Sequence, residues 1–233
     1  MSEHTARLRE EVACAARAFA VLGYVHAFGH VSARLASSVL ITPTRPPLAI
    51  QHAADILEAD FDGRVICGDA SARPIEIFLH IGIYRARADV TAICRTHAPA
   101  ASLWPGAGVA PIQHGFGGIA ANVATFDGVD LIHEPSLGTA AAMALGASDA
   151  LILRGNGVLA VGASIAEAAA RMWSLEERSA LALRQGAAGK PFTAEELQAR
   201  QRWYPAEQNR IWLWLQHLGQ SAAESRGMAR PLL

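Results

Sequence analysis

Arg73-Pro74-Ile75-Glu76-Ile77-Phe78-Leu79-His80, followed at a short distance by Arg95-Thr96-His97, joins a helix start carrying an acid to the polar end of a buried strand. Pro74 suits the first position of a helix, where its missing N–H costs nothing, and the spacing predicts that helix to about Arg87 with Ile75, Leu79 and Ile83 inward. Glu76 then sits on the helix's first turn. Val90 to Cys94 is a continuous apolar run, the pattern of a strand covered on both faces. His97 closes that strand, where a polar side chain is costly unless paired or used. Two readings of Glu76 stand. It complements the helix dipole, worth about 0.3–1 kcal/mol, or it is a general base at the mouth of a cleft. His80 lies one turn further on the same face, as a catalytic partner or a plain helix-surface contact.

Residues 5–22 carry Leu8, Val12, Ala15, Phe19 and Leu22 at helical spacing, and Gly23 ends the run. Val31 to Leu35 and Val39 to Thr42 read as a hairpin of short strands. Thr42 to Pro47 is a loop, because proline cannot donate to a ladder. Asp62-Gly63 turns into a short strand, Arg64 to Cys67. Beyond His97 comes a Gly-rich stretch with short strands. Pro135 opens a helix burying Leu137, Ala141, Ala144 and Leu145. Strands at 150–154 and 158–161 flank Gly155-Asn156-Gly157, a sharp turn. Ser164 to Glu167 is a capping box that starts a helix to about Gly186. Thr193 to Glu196 is a second box, starting a last helix that bends near Pro205 and bears Trp203, Tyr204, Trp212 and Trp214. These aromatics pack on the chain's own core or at a subunit contact. Strands interleaved with helices predict an α/β, three-layer domain over 1–233, with a C-terminal helical segment at 193–233.

The chain has 233 residues, 52% apolar and 18% charged, with a net charge of −1. That predicts a sizeable core and disfavours nucleic acid or an anionic membrane as partner. No apolar run reaches the ~18 residues of a bilayer span. The N-terminus lacks a secretory pattern, and Cys14, Cys67 and Cys94 are scattered and odd in number. Together these predict a cytoplasmic protein with reduced thiols.

Nine histidines are a rich supply. His97 stands out by its place at a strand end. Gly29-His30-Val31-Ser32-Ala33-Arg34 reads either as an anion cradle or as an ordinary loop-to-strand join. Gly155-Asn156-Gly157 reads either as a tight turn or as part of a site.

Taken in order, these pieces resemble the class II aldolase/adducin family, from the first helix to about residue 185. The family's G-[NH]-x-S-x-R strand is matched by Gly29 to Arg34, and its T-P loop by Thr42-Pro43. Its P-x-x-E-x-x-x-H segment with the catalytic acid is matched in part by Pro74, Glu76 and His80. Its late V-G-x-S-x-x-E-A is matched by Val161 to Ala168. The resemblance implies a mixed, mainly antiparallel sheet between helical layers. It also implies a cyclic homotetramer with active sites between neighbours, so the C-terminal segment is expected to close the pocket of its own or an adjacent subunit.

Two departures matter. The family holds a divalent metal with an H-x-H pair and a later H-G turn. Here Arg95-Thr96-His97 and Asn156-Gly157 stand in those places, which leaves His97 alone. Catalytic metal sites use about three protein ligands, and arginine has no lone pair to give. The aldolases' Ser-Ser before the acid is replaced by Pro74-Ile75, against a sugar phosphate. Arg34, Arg45 and Arg73 are shaped instead for a carboxylate.

The expected chemistry is therefore that of a carbon–carbon lyase acting on a small-molecule carboxylate. Aldol cleavage and β-keto-type decarboxylation both build an enolate and need a cation beside its oxygen. With Arg95 as that cation, decarboxylation of a hydroxy-aromatic or β-keto acid is expected. Glu76 relays the proton, and His97 and His80 orient or donate. His30, Ser32, Arg34, Thr42, Arg73 and Asn156 bind substrate. Two alternatives are carried. One is a displaced Zn, Mn or Fe site built from His97, Glu76 and His30, His80 or His114, serving an aldolase or oxygenase. The other is an adducin-like protein without catalysis.

Overall fold

The computed structural model describes residues 2–104, 110–185 and 189–227. Its centre is an eight-stranded sheet of β1 His30–Arg34, β2 Ser38–Ile41, β3 Leu57–Asp60, β4 Val65–Cys67, β5 Ala92–Thr96, β6 Val123–Phe126, β7 Ala150–Leu153 and β8 Val158–Gly162. The strand order is β4-β3-β2-β1-β5-β8-β7-β6. Neighbours run antiparallel except β6 and β7, which are parallel. The six α-helices among the described residues are α1 Glu3–Val21, α2 Ile77–Ala86, α3 Pro135–Leu145, α4 Ile165–Gln185, α5 Ala194–Gln201 and α6 Tyr204–Gly227.

Period-two alternation sorts the sheet's side chains into two cores. On one face Val31, Ala33 and Cys94 pack with Phe19 of α1, Leu175 of α4 and Leu215 of α6. On the other, Ile93 and Leu159 pack with Leu79 and Ile83 of α2 and Leu145 of α3. The result is the three-layer α/β arrangement expected. Helices α2 and α3 approach closely because both carry glycine at the contact. A Cβ on Gly138 would lie 2.2 Å from the Phe78 carbonyl oxygen, and one on Gly82 would lie 2.3 Å from that of Gly138.

Several boundaries differ from expectation. Helix α2 begins at Ile77, after a turn in which the Ile77 N–H donates to the Pro74 carbonyl. Glu76 is therefore the cap residue rather than a first-turn residue, and its side chain caps nothing. Ile75 points outward, 58% exposed, instead of inward. Strand β5 runs to Thr96, two residues beyond the apolar run, so Arg95 lies inside it. Strand β3 was not anticipated, although Leu57 and Ala59 turn inward while Glu58 and Asp60 turn out. In α3, Leu137 and Ala144 are only partly buried.

The Ser164 box is partial. Its hydroxyl accepts from Glu167, but the Glu167 carboxylate accepts from Ala163. The end expected near Gly186 lies outside the described residues. The Thr193 box is complete and starts α5. The bend near Pro205 is a full break into α5 and α6, with Pro205 in the first turn of the latter, where proline is tolerated. Trp212 is buried in the chain's own core, while Trp203 and Trp214 remain exposed.

Candidate active site

The alternation that builds the cores also aims the site. On β1, Val31 and Ala33 enter the α1 side, so His30, Ser32 and Arg34 face α2. On β5, Cys94 enters the α1 side, so Arg95 faces α2 next to His30, its direct cross-strand partner. The start of α2 brings Glu76 over this surface, and the turn between β7 and β8 brings Asn156. That turn needs glycine at 157. Its φ is +77°, and a Cβ there would lie 2.2 Å from the Thr96 carbonyl oxygen.

Arg95 and Glu76 form an ion pair of 3.0 Å with both side chains almost fully buried. Arg95 Nη2 also donates to Asn156 Oδ1 at 2.5 Å and to its carbonyl at 3.1 Å. Asn156 Nδ2 donates to Glu76 Oε1 at 2.7 Å, closing a three-residue ring of bonds. The Ile132 N–H reaches the same oxygen at 3.4 Å. Arg95 Nη1 lies 2.6 Å from His97 Nε2. Arginine only donates, so Nε2 accepts and the His97 proton sits on Nδ1. Burial first, then the Arg95 charge, push the His97 pKa down to about 4, against a smaller pull from Glu76. Burial also lowers the Arg95 pKa, while Glu76 raises it.

Behind this surface is a neutral buried histidine pair. The His30 and His80 rings meet edge-on at 5.7 Å. His80 Nδ1 and the Ser32 hydroxyl are 2.7 Å apart, and that hydroxyl is 2.7 Å from the Tyr84 hydroxyl. Burial pushes the His80 pKa down to about 3 and holds His30 well below the usual histidine range, with Arg95 adding to both. Three polar atoms have no partner: His30 Nδ1, His80 Nε2 and Arg95 Nε.

A cavity of about 390 Å3 opens over these groups. His30, Glu76, Arg95, His97 and Asn156 line it, so the structure brings these five expected residues together. The other five do not reach it. His80 and Ser32 stand behind His30. Thr42 accepts from the Val31 N–H within the sheet. Arg34 donates to the Tyr84 carbonyl at 2.7 Å, and Arg73 to the Gly63 carbonyl at 3.0 Å. No described residue of the C-terminal segment lines the cavity. Phe28, Thr44, Ile75 and Leu131 do, and the sequence reading missed all four. Thr44 and Ile75 sit within segments it singled out. Leu131 lies in a loop with no local signal.

The profile of the class II aldolase and adducin N-terminal domain matches residues 10–183. The chain belongs to the class II aldolase/adducin family. A 3,4-dihydroxyphthalate decarboxylase of Terrabacter sp. (strain DBF63) is 31% identical over 218 residues, covering 85% of this chain and 91% of the relative. One from Arthrobacter keyseri is 30% identical over 199 residues, 78% of this chain and 79% of the relative. An L-fuculose phosphate aldolase of Methanocaldococcus jannaschii is 30% identical over 166 residues, 66% of this chain and 83% of the relative. The fold matches the crystal structure of an aldolase II superfamily protein from Pseudomonas syringae, with TM-score 0.82, 22% identity and 96% of each chain covered. The named relatives are carbon–carbon lyases, the class expected for this member of the class II aldolase/adducin family.

The family's metal does not fit this donor set. Among the described residues no group of three or more His, Cys, Asp or Glu is placed to hold a metal ion. The Nε2 lone pair of His97 is taken by an Arg95 N–H, and His114 of the displaced set is engaged elsewhere, its Nδ1 accepting from Gly117.

Proposed function

We propose that this family member removes carbon dioxide from a hydroxylated aromatic carboxylic acid whose hydroxyl is ortho to the departing carboxylate, with Arg95 as the cation that steadies the enolate-like oxygen. The observation that carries this reading is the Arg95 guanidinium on the cavity floor, tied to Glu76, Asn156 and His97. The decarboxylase relatives support the substrate class.

In the proposed step, Glu76 takes the proton of the ring hydroxyl and passes it to the carbon that bears the carboxylate. That carbon becomes tetrahedral and the oxygen becomes a ketone, β to the carboxylate. The bond to the carboxylate then breaks. Its electron pair runs to the oxygen and restores the aromatic ring, and carbon dioxide leaves. Arg95 faces the negative oxygen that forms, and protonation of that oxygen from solvent completes the exchange. A fixed cation aimed at developing charge is worth about 10²- to 10³-fold in rate. His97, neutral and bonded to Arg95, orients the guanidinium.

Two features disfavour a sugar phosphate. Pro74-Ile75 provides no hydroxyl beside Glu76, and Arg34 and Arg73 are engaged outside the cavity. The test is carbon dioxide release from 3,4-dihydroxyphthalate and from unsubstituted phthalate, in chelator, beside cleavage of L-fuculose phosphate. Turnover of the hydroxylated acid alone is expected. Faster cleavage of the sugar phosphate, or equal turnover by Arg95→Met, overturns the proposal.

A further inference from the structure

The cavity is divided by chemistry into two levels. Its floor is polar, formed by the Arg95–Glu76–Asn156 ring with His97 and His30. Its mouth is formed by Phe28, Ile75 and Leu131, which are 70%, 58% and 44% exposed. These three come from separate parts of the chain: the loop before β1, the turn before α2 and the loop before α3. Scattered surface leucines need no explanation, but three large apolar side chains converging on one charged cavity do. The mouth adjoins the floor at Phe28, whose ring meets that of His97 at 6.2 Å, edge to face.

The floor also has donor capacity left over. Arg95 Nε, a donor, is buried and bonded to nothing, and His30 Nδ1 is equally without a partner, donating or accepting according to which ring nitrogen carries the proton. A buried donor without a partner costs free energy that an anionic oxygen would recover. A ligand that satisfies both levels is charged at one end and flat and apolar at the other. A sugar phosphate is polar along its whole length and leaves the mouth wet.

We infer that Phe28, Ile75 and Leu131 form a specificity clamp that grips the faces and edge of a planar aromatic ring, whose carboxylate points down to Arg95. The inference rests on the lyase reading for the reaction but not for the binding. The clamp selects by the hydrophobic effect and ring contacts, and the floor selects by charge. Serine at these positions keeps the floor and removes the grip.

The test is isothermal titration of the full chain with two probes, 3,4-dihydroxybenzoate and malate. Both carry carboxylate and hydroxyl, and only the first has a ring. Wild type is expected to bind the dihydroxybenzoate more tightly. The Phe28→Ser/Leu131→Ser double variant, and separately Ile75→Ser, should lose about tenfold or more of that preference, with an unchanged thermal midpoint by circular dichroism. Binding of neither probe, no preference in wild type, or a preference surviving in the variants overturns the clamp. So does a preference lost together with dissociation of an oligomer in sedimentation, since the mouth would then be a subunit contact. Dihydroxybenzoate preference without any carbon dioxide release from 3,4-dihydroxyphthalate sinks the lyase reading and leaves the clamp. Turnover without preference does the reverse.

Discussion

Arg95 Nη2 and Glu76 Oε2 stand 3.0 Å apart in a pocket that leaves 2% of one side chain and 6% of the other in contact with solvent. A pair so desolvated is held by its further bonds, and Asn156 provides one to each partner. Breaking it from one side leaves an uncompensated charge, which costs more than the pair itself contributes.

Arg95→Met should therefore slow the proposed carbon dioxide release by about 10²- to 10³-fold and lower stability by about 3–5 kcal/mol in urea unfolding. Adding Glu76→Leu should recover most of the stability and none of the activity. A double variant no more stable than Arg95→Met would show that the charge left behind is not the cause.

His80 makes a pH prediction. Its pKa falls from an ordinary 6.5 to about 3, so the folded chain holds it neutral. As pH drops below 6.5 the unfolded chain takes up a proton that the folded chain refuses. Its contribution to stability is complete above 6.5 and is lost progressively down to about pH 3. His80→Asn keeps a partner for the Ser32 hydroxyl and removes the titration. Its stability loss between pH 7 and pH 4 should be smaller than that of wild type by on the order of 2–3 kcal/mol. Parallel curves would refute this.

A metal can be written back. Arg95 and His97 lie two residues apart, and Asn156 reaches Arg95 at 2.5 Å. Arg95→His with Asn156→His assembles three imidazoles with His97. That double variant should bind zinc in competition with a chromophoric chelator, where wild type should not. Failure to bind would mean that the three positions do not converge as the distances require.

Gly138→Ala tests the support under Glu76. The added carbon would meet the Phe78 carbonyl oxygen at 2.2 Å, and backbone can only yield by moving α2 away from α3. A loss of about 1–3 kcal/mol is expected in thermal unfolding, together with reduced activity, since α2 carries Glu76. Unchanged melting would contradict the close packing.

The layers were legible because Val90 to Cys94 and the alternation through Val31 and Ala33 write burial directly into sequence. Glu76, Arg95 and His97 were legible mainly through the order of motifs. Nothing local reveals that Asn156 meets Glu76 across 80 residues of chain. Strand β3 hid because Leu57-Glu58-Ala59-Asp60 is short and half acidic. Its Glu58 is satisfied by Arg9 and Ser38, partners known only from the fold. The start of α2 was misplaced for a related reason: the turn from Pro74 to Ile77 precedes the helix, and the Glu76 side chain meets Arg95 and Asn156, which lie far away in sequence.

The register of β5 has a consequence for how such a protein changes over generations. Ile93 and Arg95 face one layer, and Cys94 and Thr96 the other, locked by pairing with β1 and β8. An insertion or deletion of one residue would swap the two faces and put a thiol or a threonine where the guanidinium stands. Replacement in place keeps the strand pairing and leaves each remaining side chain on its own face. The strand can thus exchange one polar side chain for another at position 95 with its length unchanged, whereas a change of length there exchanges the whole face.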